Sequence, residues 1–238
     1  AERVAWHGLV LGTGLSGAST LVLVLFAAPI LRLVGGDEEI VAIGAPYLRL
    51  AAAFAPFHML TVLLGAMLRG AGDTRNPMLA SLLMTVVNAL VGFLLVFDVV
   101  GPGGLGLMGI AIAFTLARVA AVVYLGLIAR RSDLRGGLWQ GRRFDRATLR
   151  RVIRVSVPAA GEQAAWSGGV LAISIVGLSL GTVSYAAQSV IGPATSLAFM
   201  PSFGLGVAAS ALVGQSLGAK LPDLAKRLGF EAAIGATL

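Results

Sequence analysis

The stretch NPMLASLLMTVVNALVGFLLVF, residues 76–97, runs for 22 residues without a charge. A bilayer's hydrocarbon core of about 30 Å takes about 20 residues of α-helix at roughly 1.5 Å each. The stretch therefore reads as a membrane-spanning helix, and its neighbours read the same way. Residues 8–31 are charge-free, residues 50–68 carry only His58, and residues 107–129 are broken only by Arg118. Beyond a polar segment, residues 155–219 hold a single charge, Glu162, and are long enough for two spans with a turn near Gly181 and Thr182. A seventh span is expected to start near Leu228 and to be cut off at Leu238. A transmembrane barrel would show ten-residue segments of alternating polarity instead of such runs. A cleaved signal peptide would be shorter than residues 8–31, would follow a basic cluster and would not precede further spans.

Composition agrees. The chain has 238 residues, 57% hydrophobic and 12% charged, with a mean hydropathy of +0.90 and no cysteine. A soluble domain of this length could not cover its surface with 29 charged side chains, which excludes an ordinary cytosolic enzyme. The absence of cysteine excludes disulfides, thiolate metal sites and cysteine nucleophiles.

The net charge of +7 separates by side. Arg3, Arg69, Arg75, the nine arginines of residues 130–154, Lys220, Lys226 and Arg227 all fall at one side of the spans, which is 15 of 18 basic residues. Only Arg32 and Arg49 fall at the other side. Positive-inside bias makes the first side cytoplasmic. It carries +10 after its five acids, against −2 outside, where Asp37, Glu38, Glu39 and Asp98 lie; Arg118, Glu162 and Glu231 are left at membrane depth. The basic segment 130–154 reads as a cytoplasmic linker, with a candidate interfacial helix from Phe144 onward, and not as a nucleic-acid site.

Ala1-Glu-Arg-Val-Ala-Trp6 and Ala225-Lys-Arg-Leu-Gly-Phe230 share a pattern, each opening a span from the same side. Internal repeats are common in transporters. This one predicts a segment like residues 155–222 ahead of Ala1, so that both ends of the chain are expected to be cut points.

Several motifs are more specific. Tyr47-Leu-Arg49, then Gly65-Ala-Met-Leu-Arg-Gly-Ala-Gly-Asp-Thr-Arg-Asn-Pro-Met78, then Asn88, then Gly109 with Ala111, Ala113 and Arg118, resemble the multidrug and toxic compound extrusion (MATE) family. Val157-Pro-Ala-Ala-Gly-Glu-Gln163 resembles the family's seventh span, and SLAFMPSFGLGVAASALVGQSLGA, residues 196–219, its eighth. The resemblance covers nearly the whole chain and corresponds to about spans three to nine of twelve. It implies an all-α polytopic membrane protein, a two-lobe helical bundle truncated at both ends. Residues 1–130 would be the last four spans of the N-lobe, 131–154 the basic cytoplasmic linker, and 155–238 the first spans of the C-lobe. It also implies secondary active efflux of organic cations or amphiphilic drugs against Na+ or H+ entry, by alternating access, in the cell (inner or plasma) membrane. Membrane lipids and a small organic cation or drug are the implied partners, with no nucleic acid, no metal and no cofactor beyond the coupling ion.

The residues themselves point to candidates. Glu162 lies about 12 Å along a helix from Arg154. A charge at the bilayer centre costs roughly 2.5 to 3.5 kcal/mol on insertion scales, so this carboxylate should be paired, protonated or coordinating a cation. It matches the family's cation-linked glutamate. Asn88, about 18 Å into its span, is a candidate ion-coupling residue whose amide can ligate a cation or bond a neighbouring helix; it matches an asparagine of the family's first-lobe polar site, although Gly92 stands where the family often has Asp or Asn. Arg118, about 18 Å from Arg130, must face protein or water, as a charge lining a cavity or as an interhelical clamp. Gln163, Gln188, Tyr124 and Met200 are candidate cavity linings, or packing. His58 reads as a satisfied interhelical histidine, and Pro56 and Pro201 as hinge candidates. Gly8 and Gly12 fit a close-contact pattern. Asp73, Thr74 and Pro77 read as a capped turn.

Gly214 to Lys220 does not match a phosphate-binding loop in spacing and lacks the following Ser or Thr, which argues against ATP drive. A lipid-linked saccharide flippase of the same broad superfamily would carry more cavity cations than Arg118 alone. A membrane enzyme or scaffold would need clustered His, Asp or Glu, and only Asp37 to Glu39 cluster, with no His nearby. The reading is thus a transporter and not an enzyme.

Overall fold

A computed structural model describes residues 2–35, 37–97, 105–131 and 145–237. Among these residues every regular element is a helix: α1 (Glu2–Leu25), α2 (Ala27–Leu33), α3 (Glu38–Ala53), α4 (Ala55–Gly70), α5 (Arg75–Val96), α6 (Gly106–Arg131), α7 (Arg146–Ser179), α8 (Thr182–Gly218) and α9 (Pro222–Thr237). The all-helical polytopic architecture expected from the apolar runs is what the chain adopts. By length and apolarity, Val4–Leu25, Glu38–Gly70, Arg75–Val96, Gly106–Arg131 and Tyr185–Gly218 can each cross a bilayer. The middle of α7 is more polar than these, because Glu162 and Gln163 interrupt it, and α9 has only 16 residues.

Several boundaries differ from the sequence reading. The span expected to begin at Leu50 is the second part of a longer helical stretch that starts at Glu38, where Asp37 caps it by accepting a hydrogen bond from the Ile40 amide at 2.9 Å. Glu38, Glu39 and Arg49 masked that first part in a search for apolar runs. The acidic cluster is a helix start: Glu38 also pairs with Arg32 at 3.0 Å across the α2–α3 turn. The expected interfacial helix is instead continuous with the following span, since α7 runs unbroken from Arg146. Residues 132–144 of the linker, and Asp98, lie outside the described residues.

The chain divides into two compact units, Ala1–Leu149 and Arg150–Leu238. In the first, α6 is the central helix, in contact with α3, α4 and α5, while α1 packs on α3 and α4. Small residues let α6 sit there: Ala111, Ala113, Ala117 and Ala121 are fully covered, continued by Leu125 and Ala129. At Gly109 a Cβ would stand 3.1 Å from both the Cβ and the carbonyl oxygen of Leu95, so this crossing admits only glycine without movement. The expected close contact of α1 holds at Gly12, which abuts Met59 and Leu63 of α4, but Gly8 has open space around it.

The α3–α4 break at Phe54 has a chemical cause. Pro56 stands at the start of α4 and has no amide to give the carbonyl of Ala52 four residues earlier. Thr20 of α1 donates its hydroxyl to that carbonyl at 2.9 Å. Pro56 therefore begins a helix instead of bending one.

In the second unit α8 packs on α9, with the Ser202 hydroxyl donating to the Ala236 carbonyl at 3.0 Å. The turn between α7 and α8 falls at Gly181, where the sequence placed it, and φ of +102° there suits glycine. Glu231, assigned to membrane depth by charge sorting, is exposed on α9 and pairs with Arg227 one turn earlier at 2.7 Å.

Candidate functional site

In the first unit the antiparallel register of α5 and α6 is set by three contacts. Leu95 meets Gly109, Gly92 faces the Cβ of Ala113 at 3.6 Å from where its own Cβ would be, and Ala80 packs with Leu125. Asn88 is one helical turn from Gly92 on the same face, which places it level with Ala117 and Arg118. Leu68 of α4 joins the Ala80–Leu125 cluster, and α4 runs parallel to α6. Counting back ten residues from Leu68 puts His58 level with Thr115, about one turn from Arg118, and Arg118 lies within electrostatic reach of the His58 ring. Asn88 and Arg118 thus form a polar tier on α5 and α6, with His58 of α4 about one turn away.

On α6 the exposed apolar residues Leu116, Val123 and Leu127 make one stripe, while Leu107 and Phe114 are exposed on the other side. At 100° per residue Arg118 points to nearly the opposite side of the helix. There it is half-buried, with its guanidinium carbon 5.8 Å from the centre of the Phe114 ring. It makes no hydrogen bond or ion pair with any described residue. His58, read from the sequence as a satisfied interhelical histidine, is exposed instead, because the α4 face it shares with Val62 and Ala66 is not covered.

Tyr124 is held away from this tier. Its hydroxyl donates to Asn76 Oδ1 at 2.7 Å, its ring packs with Leu64 and Ile128 against Leu68, Ala80 and Leu125, and Asn76 Nδ2 donates to Asp73 Oδ2 at 2.6 Å. Asp73 Oδ1 also accepts the Asn76 backbone amide at 3.0 Å, so the cap of α5 is Asp73, while Thr74 makes no capping bond.

In the second unit Glu162 sits near the middle of the 34-residue α7, one turn after Pro158, with Gln163 beside it; both are exposed and have no polar partner among the described residues. The burial expected for this carboxylate is absent within its own unit, since among the described residues only Gly177 of α7 is covered. Gln188 of α8 is half-buried, its amide lying against Gly177, in the space a side chain at 177 would need. Met200 is exposed, next to Pro201 inside α8. Arg118 and Glu162, considered as a pair from depth alone, belong to different units.

Sequence reasoning overlooked two groups. Phe114 is signalled only by its spacing of four from Arg118. His7, 1% exposed, takes the Asp145 amide on Nε2 at 3.1 Å and so ties the start of α7 to α1; no motif marks it.

The MatE family model matches residues 1–94 and 158–238. A probable multidrug resistance protein NorM of Thermotoga maritima is 32% identical over 186 residues, covering 75% of this chain and 39% of its own length. A probable multidrug resistance protein YoeA of Bacillus subtilis is 29% identical over 229 residues, covering 92% and 50%. The chain thus spans half or less of the length of these relatives. Among solved structures, a MATE protein in complex with MaL6 superposes with a TM-score of 0.84 at 22% identity, covering 98% of this chain and 51% of that one, which shows a shared fold.

Proposed function

The chain belongs to the MatE family of membrane transporters, and from that premise we propose that it serves secondary active efflux of organic cations or amphiphilic drugs, coupled to Na+ or H+ entry by alternating access. Residues 1–130 supply four spans of one lobe, 131–154 a cytoplasmic linker and 155–238 the first spans of the other, in the plasma membrane. The work is transport without a catalysed reaction, and it needs no cofactor beyond the coupling ion.

The observation that carries the coupling is Glu162: the one carboxylate of residues 155–219, at mid-helix, without a polar partner among the described residues. A carboxylate in that position can carry the coupling ion in either form, by exchanging a proton or by offering its oxygens to Na+. Asn88 has only one amide oxygen to give a cation, and α4, α5 and α6 contain no acidic residue to join it. We therefore assign the cation to Glu162 and place Asn88, with Arg118, among the groups that meet substrate. Gln163, Gln188 and Met200 line the path on the C-lobe side, and Tyr124 shapes the N-lobe side through its hold on Asn76.

The test is Glu162→Gln in the intact protein, reconstituted with a Na+ or a pH gradient imposed in turn. Gradient-driven export should fall at least about tenfold, a change of about 1.4 kcal/mol, while Glu162→Asp retains part of it. Full coupled export by the glutamine variant would overturn the assignment.

A further inference from the structure

We propose that Arg146, Arg150, Arg151 and Arg154, at the start of α7, form a docking face for anionic phospholipid headgroups, in the leaflet on the side that the charge asymmetry marks as cytoplasmic. The partner is the lipid around the protein, whatever the protein exports.

All four arginines are exposed, and none makes a hydrogen bond or ion pair with a described residue. Asp145, the acid beside them, caps the helix: its carboxylate accepts the amides of Ala147 at 3.1 Å and Thr148 at 3.2 Å and the Thr148 hydroxyl at 2.5 Å. At 100° per residue the arginines fall within one arc of about 140°. That arc lies nearly opposite the half-buried Thr148, Leu149 and Val152, and the exposed Ile153 and Val155 flank its two edges. The helix start is held against rotation, because the Asp145 amide donates to Nε2 of the buried His7 of α1 at 3.1 Å. Positive-inside bias asks only for basic residues somewhere between spans, not for four of them on one face. Their depth also fits. Arg154 directly precedes the apolar run from Val155, and Arg150 and Arg146 stand about 6 and 12 Å further out by the rise per residue. The headgroup layer on each side of a bilayer is about 6 Å deep, so the arginines run through it to its aqueous edge. A guanidinium takes a phosphate diester through two parallel hydrogen bonds. Ile153 and Val155 meet the first acyl carbons, a contact that a soluble anion does not offer. Four basic residues next to a span are enough for electrostatic recognition of anionic lipid.

The intact protein, purified and delipidated in a neutral detergent, is titrated with phosphatidylglycerol or with phosphatidylcholine. Native mass spectrometry counts the bound lipid, and thermal unfolding reads the stabilisation. A basic residue near an anionic surface strengthens binding about fivefold. Arg150→Gln combined with Arg154→Gln is therefore expected to weaken phosphatidylglycerol binding at least about tenfold, with phosphatidylcholine changed less than about twofold. Arg150→Lys with Arg154→Lys keeps the charge and should retain most of the affinity, and added salt should erode the preference for phosphatidylglycerol in the unmodified protein. Lys220→Gln with Lys226→Gln removes the same charge elsewhere on the same side and should leave phosphatidylglycerol binding nearly unchanged. Equal losses in the arginine and lysine pairs would mean diffuse attraction to the whole side and would overturn the face. Unchanged phosphatidylglycerol binding in the Arg→Gln pair, or equal losses for both lipids, would overturn it as well. Inorganic phosphate that stabilises the protein as much as the lipid does would make this a soluble-anion site and refute the lipid surface. Where the Arg150, Arg154 pair does not yield folded protein, Arg146→Gln with Arg151→Gln repeats the measurement on the same face, with the same outcomes deciding.

Discussion

Asp73 shows how much one side chain settles at the residue scale. Its two oxygens accept the backbone amide and the side-chain amide of Asn76, and the same asparagine receives the Tyr124 hydroxyl, so the α4–α5 turn is clasped to α6 through three residues. The bonds from Asn76, backbone first, hold the Asp73 carboxyl below its ordinary value of 3.8, with a smaller contribution from Arg75. Because the folded state favours the carboxylate, this stabilisation is fully present above the unfolded value and is lost as pH falls through the lower folded one. Thermal unfolding of the detergent-solubilised protein should therefore lose a component of its stability below about pH 4, and Asp73→Asn should lack that component. Asp73→Ala, which also removes the cap, should cost about 1 kcal/mol at neutral pH. An acid limb of unchanged depth in Asp73→Asn would show that other carboxylates dominate it. The capping role was legible in the sequence as a turn with Asp, Thr and Pro. That Asp73 and not Thr74 performs it is a matter of local geometry at the turn, while Tyr124 joins in only because α6 brings it back 48 residues after Asn76.

At the scale of elements, the α3–α4 break illustrates a local rule with a remote remedy. Proline withholds an amide from the Ala52 carbonyl, which accepts instead from the Thr20 hydroxyl on a different helix and from the Phe54 amide. Thr20→Val should destabilise the protein by about 1 kcal/mol, since it removes one of the two donors on the Ala52 carbonyl, the other being the Phe54 amide. In a Pro56→Ala background, where position 56 again has an amide, the same substitution should cost much less, so a double-mutant cycle should give a coupling of about 0.5 kcal/mol or more. Strict additivity would mean the Thr20 bond is incidental to the break. The proline was visible in the sequence, but its partner was not, because a Thr in a span bonds its own helix in most places, as Thr61 does with Phe57. The extent of α3 was also hidden, because charges at its ends broke the apolar run. α6 was the easier element to read: its alanines and Gly109 are spaced for close packing, and close packing is what they provide.

For the molecule as a whole, the governing feature is the segregation of basic residues, from which the sidedness follows as a proposal. The chain has no cysteine, so single-cysteine variants report without background. In intact cells a membrane-impermeant maleimide should label Glu39→Cys, and should label Arg131→Cys and Lys220→Cys only after permeabilisation. The reverse pattern would invert the orientation. Charge sorting also placed Arg118, Glu162 and Glu231 together at membrane depth, and the structure separates their circumstances: a half-buried arginine over a ring, an exposed carboxylate on α7, and an ion pair with Arg227.

What the sequence determined by itself is the helical membrane class, the approximate place of most turns and the identity of the charges that stand out in apolar runs. These are properties of segments about 20 residues long, and transfer of such segments from water to lipid depends on their composition alone. What only the tertiary structure decided is which of those charges act together. The level shared by Asn88 and Arg118, with His58 about one turn away, follows from the register of three helices, and that register is set by contacts such as Gly109 on Leu95 and Ala80 with Leu125, whose partners lie 14 and 45 residues apart in the chain. Helix periodicity specifies the face a residue occupies on its own helix, but the neighbour that face meets is chosen by packing between helices, where the surrounding lipid has no preference to add.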